Sequence, residues 1–435
     1  MKKVLVVTYY WPPAGGPGIQ RILKFVKYLR DFGFEPVILT VKNGDYPVKD
    51  GELFSEIPSV LKIYKMFIPE PYSLYKKFMG IDQKSGFDKG TVFGGRKKSF
   101  KHKIVDFIRA NIFVPDAKSF WIPGGILKGI RIVKKEKCSA VISTSPPYSA
   151  GVIASGVSFF TGIPWIFDCR DPWGSYQNKK MRIRFADKFD DFLKNFCSSV
   201  CFKQTLAWKG IKKSFPCSGD KDVWIPNGFD FDLPRAYVKP ESNKFDLVYA
   251  GSFYTRRYPA RFTEILKEII KENSFIRDNL RLCFIGRIDE ESKASFRKNF
   301  PCDMLSFESY VPHNILTEKL KSASALWIVM DDLPEAKDIV AGKTCEYLGY
   351  MKPILACLPE NSETEKIIAE TGSGVRIPVE NKEETERLLT GIMKALEEGK
   401  SPMKFNHEKI SAYHRRFLTE RLAVILEEAI NENKK

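Results

Sequence analysis

The chain has 435 residues, with 70 Lys and Arg against 53 Asp and Glu and a net charge of +17. Its length exceeds one ordinary core and calls for two domains of about 200 residues each. Nine cysteines without a C-x-x-C pair, and only four histidines, argue against a disulfide framework or a zinc site and suit reduced thiols. The charge is uneven. Residues 1–237 carry 39 Lys and Arg against 21 Asp and Glu, or +18, whereas the remainder carries 31 against 32. A basic half of this kind, with aromatic residues such as Phe67, Tyr72, Tyr75, Phe78, Phe100, Phe107, Phe113, Phe120 and Trp121 among runs such as Arg96-Lys97-Lys98, suits an anionic membrane surface or a diphosphate-linked acceptor. It also reads as a merely solvated basic face. Nucleic acid is not expected, because no helix-turn-helix, zinc finger or RNA-binding aromatic motif accompanies the charge.

Met1-Lys2-Lys3 and Val4–Val7 resemble a signal peptide, but Tyr9 to Pro13 ends the apolar run early and no cleavage site follows. A cytoplasmic location is therefore expected. The run Val4–Thr8 reads as a buried strand. After it, Trp11-Pro12-Pro13-Ala14-Gly15-Gly16-Pro17-Gly18 forms a loop leading into a helix whose apolar face is Ile19, Ile22, Leu23, Val26 and Leu29. Gly15, Gly16 and Gly18 let backbone approach a ligand, and the helix start offers free N–H groups, so an anionic or sugar ligand fits there. Pro17 breaks the G-x-G-x-x-G spacing, and the next strand, Pro36–Val41, ends without a ribose-binding acid, which argues against a nicotinamide site. A tight structural turn is the plainer alternative.

The first series continues with strands near Lys62–Phe67, Ala140–Ser143, Trp165–Asp168, Ser199–Phe202 and Val223–Ile225. Residues 68–125 interrupt it and read as a helical insertion contacting acceptor or membrane. Ala140 to Phe167 is uncharged and long enough to span a bilayer, yet its prolines and glycines break it into strand, helix and strand. Asp168, Arg170 and Asp171 close a buried strand, where they would orient an acceptor hydroxyl or brace a charged transition state. A structural Arg–Asp pair is the competing reading.

After Pro234–Asn243, a polar proline-containing linker, the alternation restarts with strands near Phe245–Ala250, Leu280–Ile285, Met304–Phe307, Ala325–Met330, Ile354–Leu358 and Gly374–Ile377. Two doubly wound α/β domains are expected, 1–237 and 238–409, facing a central cleft, with a C-terminal helix at about 410–435 packing back on the first. In the second domain Lys343 is placed to meet a diphosphate and Glu346 to accept ribose hydroxyls. A solvated helix face is the competing reading of Glu346. Gly342-Lys343-Thr344 is not a P-loop, because position 337 is Lys where that motif needs Gly. Asp230-Phe231-Asp232 follows Asn227-Gly228 and reads as a turn and hinge, not a metal site.

Taken together, the Tyr9 to Gly18 loop, Ser143-Thr-Ser-Pro-Pro, Asp168-Cys-Arg-Asp-Pro-Trp173, Ile225-Pro-Asn-Gly-Phe-Asp230, Tyr249-Ala-Gly-Ser-Phe-Tyr254 and the Lys343–Pro353 segment resemble the family 4 glycosyltransferases of the GT-B fold over nearly the whole chain. The resemblance implies a retaining, metal-independent transferase that needs no cofactor beyond its nucleotide diphosphate sugar donor and uses a glycan or lipid-linked acceptor in cell-surface polysaccharide synthesis. Asp338-x7-Glu346 matches the family's Glu-x7-Glu signature with a shorter first acid. Glu346 would hold ribose and Asp338 would face the donor sugar. Gly16, Asp168, Arg170, Asp171 and Asp338 are thus the catalytic candidates, and Gly15, Gly251, Ser252, Arg256, Arg257, Lys343, Thr344 and Glu346 the donor-binding ones. Ser252 stands where the family usually has Arg, so Arg256 or Arg257 would join Lys343 on the diphosphate. The alternative is a protein of the same fold that binds a sugar nucleotide or polyanion without catalysis.

Overall fold

The computed structural model describes residues 1–46, 48–69, 107–108, 110–174, 181–235, 242, 244–331 and 333–433. Most of the expected insertion, including Tyr72, Tyr75, Phe78, Phe100 and the basic run from Arg96 to Lys103, lies outside the described residues, as does most of the Pro234–Asn243 linker. The chain divides into two compact units, Met1–Pro226 with Arg415–Lys435, and Asn227–His414. The first division falls before the proline-containing stretch expected as a linker. Ile225 is buried in the first core, whereas Phe229 packs so closely on Gly349 that a Cβ there would lie 2.6 Å from its ring.

In the first unit, seven parallel strands are β1 (Lys2–Val7), β2 (Phe34–Val41), β3 (Lys62–Met66), β4 (Ala140–Ser145), β5 (Trp165–Cys169), β6 (Lys203–Leu206) and β7 (Asp222–Trp224), in the order β3-β2-β1-β4-β5-β6-β7. Helices cover both faces, which is why the central strands read as unbroken apolar runs such as the fully buried Val4–Val7. Crossovers that leave β1 in opposite directions place their helices on opposite faces. Helix Pro17–Tyr28 packs with the C-terminal helix Arg415–Glu432, which buries Leu418, Leu422 and Leu426 in this core. Helices Ile122–Glu136, Ser149–Thr161 and Arg184–Val200 lie side by side as the other layer. The sixth strand starts at Lys203, later than the expected Ser199–Phe202, because helix Arg184–Val200 runs up to it and the Cys201 amide still closes on Cys197 O at 3.1 Å. The polar but fully buried Gln204 and Thr205 hide that strand from an apolar pattern.

The second unit repeats the plan with β8 (Phe245–Ala250), β9 (Leu280–Ile285), β10 (Leu305–Glu308), β11 (Ala325–Val329), β12 (Ile354–Cys357) and β13 (Gly374–Arg376), all parallel, in the order β10-β9-β8-β11-β12-β13. Trp327, Phe284 and Phe296 meet in its core with centroid separations of 4.7–6.4 Å. Both sheets are doubly wound. In each, strand order reverses beside the first strand, between β1 and β4 and between β8 and β11, the position at which such sheets receive ligands.

Candidate functional site

At the carboxyl end of β1 the glycine-rich loop is pinned to residues 48–50. The Gly15 amide donates to Val48 O at 2.8 Å, and the Asp50 amide to Pro13 O at 2.9 Å. A Cβ on Gly15 would meet Val48 Cγ1 at 3.0 Å, so the glycine permits close packing of chain on chain. Gly16 differs. Its φ of 81° and ψ of −177° belong to a region that glycine alone occupies without strain, and a Cβ there would meet nothing within 4 Å. It caps helix Pro17–Tyr28, which has no capping side chain and no acid in its first turn, so the positive end of the helix is not neutralised from within the helix.

The Asp168 to Asp171 cluster divides by burial. Asp168 has no solvent exposure and is gripped by Arg21, itself 1% exposed, through Nε at 3.0 Å and Nη2 at 2.8 Å. Thr205 and Thr144 hydroxyls donate to the same carboxylate at 2.7 and 2.8 Å, and Arg21 Nη1 continues to Pro226 O at 2.7 Å. Burial by itself would push the Asp168 carboxyl up. The Arg21 charge and these hydrogen bonds outweigh it and hold the carboxyl below its usual range. The structure thus places Asp168 in an internal ion pair, closed off from solvent. Arg170 instead ties loops together, donating from Nη1 to Gly18 O and from Nη2 to Pro146 O, with its guanidinium 5.9 Å from the Tyr10 ring centroid. Asp171 stays half-exposed, with its carbonyl bonded by Tyr148 Oη.

In the second unit the carboxyl end of β8 gathers cations. Gly251 turns the chain with φ 111°, and a Cβ there would lie 3.0 Å from Lys343 Cε. The positive φ favours glycine here, and the lysine stem lies close against it. The Lys343 ammonium sits 3.3 Å from the Tyr249 ring centroid, and no carboxylate among the described residues pairs with it. Burial pushes its pKa well down, the Arg257 charge adds to that, and Glu346 opposes it. Arg257 and Arg256 share one carboxylate, Asp331, at 3.1 and 3.4 Å. Ser252 is exposed, and its carbonyl accepts the Tyr249 hydroxyl at 2.9 Å. Thr344 is fully buried, its amide bonded to Ala341 O.

Glu346 lies on the short helix Thr344–Tyr350, half-buried, with Oε1 3.1 Å from both Tyr350 Oη and His313 Nε2. Asp338 ends the turn Pro334–Asp338, where its charge reaches Lys366. Sequence reasoning passes over Arg21, Tyr249, His313 and Asp331. Asp331 is the findable one, since it follows β11, the strand beside β8 at the reversal point. Phe231 of the expected turn stacks on Tyr350 at 4.7 Å. Among the described residues no cluster of three His, Cys, Asp or Glu is set to hold a metal, and no helix is long and apolar enough to cross a membrane.

No family model and no curated protein matches the chain. Solved structures do. A glycosyltransferase from Rickettsia africae aligns with TM-score 0.58 at 13% identity, over 98% of each chain. The lipopolysaccharide outer core galactosyltransferase WaaB, in its apo form, aligns with TM-score 0.53 at 12% identity, over 97% of this chain and 99% of its own. The N-terminal domain of a trehalose-6-phosphate phosphatase from Candida albicans aligns with TM-score 0.59 at 10% identity, over 99% and 97%. The fold is GT-B.

Proposed function

We propose that the protein is a retaining, metal-independent glycosyltransferase of the family 4 type, moving a hexosyl group from a nucleotide diphosphate sugar to a glycan or lipid-linked acceptor in cell-surface polysaccharide synthesis. The observation that carries the reading is Lys343, a half-buried ammonium without a carboxylate partner among the described residues, held over Tyr249 beside the Gly251 turn. A diphosphate supplies the missing negative charge. Arg256 and Arg257 add two donors of the kind that neutralise a leaving diphosphate, worth most where water is excluded. Glu346, already oriented by Tyr350, is the proposed ribose partner, and Asp338 the acid toward the donor sugar. In the first unit the helix start at Gly16, with Arg170 holding the loops around it, is the proposed acceptor-side feature, and Asp171 is its exposed acid. The basic charge of that half supports an anionic membrane surface as a partner, on the cytoplasmic side. No cofactor beyond the donor is proposed.

Calorimetry with a panel of nucleotide diphosphate sugars, followed by donor hydrolysis without acceptor, tests the reading. One sugar nucleotide should bind selectively, turn over, and bind at least tenfold more weakly to Glu346→Ala. Binding without turnover under any acceptor would leave a sugar-nucleotide binding protein, and equal binding by Glu346→Ala would remove the ribose assignment.

A further inference from the structure

Helix Arg184–Val200 buries Ala186, Asp190, Leu193 and Cys197 and turns a second apolar row outward. Phe185 is 77% exposed, Phe192 60% and Phe189 44%. Phe196 extends the row and stacks on Phe192 at 6.1 Å between centroids. Positions i, i+4, i+7 and i+11 fall on one helical stripe. The adjacent helix Ser149–Thr161 contributes Phe159 and Phe160, 64% and 66% exposed, and Phe159 meets Phe196 at 6.1 Å. Six rings thus form one aromatic surface, of a kind that marks a binding face more often than a solvated one.

On its own helix the charges beside it are of both signs, with exposed Asp191 paired to Lys194 at 2.7 Å, and the excess of cations lies on the far helix of the same layer. Arg184 and Lys188 are exposed next to the phenylalanine row. On helix Ile122–Glu136, in the same layer, Arg131, Lys134 and Lys135 are exposed. The one acid of that helix, Glu136, is buried beneath them, where it accepts from Lys3 at 2.8 Å, Lys62 at 2.8 Å and Tyr64 at 2.7 Å. A groove of about 400 Å³ between this helix and Tyr64 is lined by Leu127, Lys128, Arg131 and Lys135, with no acid among its lining residues.

We propose that the outer face of this three-helix layer docks on an anionic lipid surface, with the phenylalanines at the interface and the Arg131, Lys134 and Lys135 side chains against headgroups. It rests on the membrane contact suggested above and names the face that makes it. Apolar rings and, across the same layer, cations without an ion-pair partner among the described residues are met together by a surface that has apolar depth under anionic charge. A second copy of the chain would cover the rings but bring no anionic surface to Arg131, Lys134 and Lys135.

Flotation with vesicles of phosphatidylcholine alone and of phosphatidylcholine mixed with phosphatidylglycerol tests the face. The parent should float with the mixed vesicles at low salt. Phe185→Ser/Phe192→Ser and Arg131→Glu/Lys135→Glu should each lower that partition about tenfold or more with unchanged melting temperature. Phe417→Ser, at a 46% exposed position on helix Arg415–Glu432 of the opposite layer, should float like the parent. If the phenylalanine variant also floats like the parent, this face is wrong while the membrane contact stands. If the parent ignores the mixed vesicles, both fall. If that variant instead turns a parent dimer into a monomer and lipid has no effect, the face joins two copies and the lipid proposal is overturned.

Discussion

The two sheets share one strand order and treat charge at their carboxyl ends in opposite ways. Beyond β5, Asp168 is closed off by Arg21, Thr144 and Thr205, and every oxygen of the pair is engaged inside the core. Beyond β8, Lys343 is half-buried over the Tyr249 ring, with no carboxylate paired to it among the described residues and with Arg257 adding repulsion. The first arrangement is complete without a ligand. The second leaves an ammonium with no carboxylate partner among the described residues, the place the proposed function gives to a diphosphate. A charged residue at a strand end therefore does not by itself mark a binding group, since what separates the two is whether a buried counter-ion is already present.

Removing one partner should separate them most clearly. Asp168→Ala leaves Arg21 buried and unpaired, and should cost about 3–5 kcal/mol of stability, read as a large fall in denaturant midpoint. Lys343→Met should do the reverse, raising the melting temperature of the unliganded protein while weakening nucleotide diphosphate binding about ten- to a hundredfold in calorimetry. A fall in melting temperature for Lys343→Met would mean that the ammonium already has its partner. Gly16→Ala should cost about 1–3 kcal/mol through backbone strain alone, since its side chain would meet nothing. Equal stability would show that the loop relaxes freely.

The smallest effects are in pH, where both sites should gain stability as pH rises, each in its own window. Asp168 has its carboxyl held below the ordinary value of 3.8, so its contribution to stability is present above that value and is lost as pH falls through the lower folded one. Lys343 is depressed from 10.5, so the unfolded chain binds the extra proton and the unliganded fold gains stability as pH rises toward 10.5. A bound diphosphate favours the ammonium. Donor binding should therefore take up a proton in that window and weaken with rising pH, which calorimetry in buffers of different ionisation enthalpy reads directly.

The sequence by itself determines the alternating series of strands and helices, because period and turn chemistry are local. It also determines the glycine-rich loop around Gly16 and the basic first half. Lys343 and Glu346 are legible as polar groups at a helix start ahead of a proline-opened strand. Partnership is not legible. Arg21 reaches Asp168 across 147 residues of chain, and Lys343 lies against Tyr249, far from it in sequence, so only the closed sheets decide which charge is spent and which is left over. The same holds for helix Arg184–Val200. Its composition offers two apolar rows, and a phenylalanine row looks like core. Packing against the sheet takes the smaller row of Ala186, Leu193 and Cys197 and leaves the rings outside, because a helix on a sheet can bury only one side.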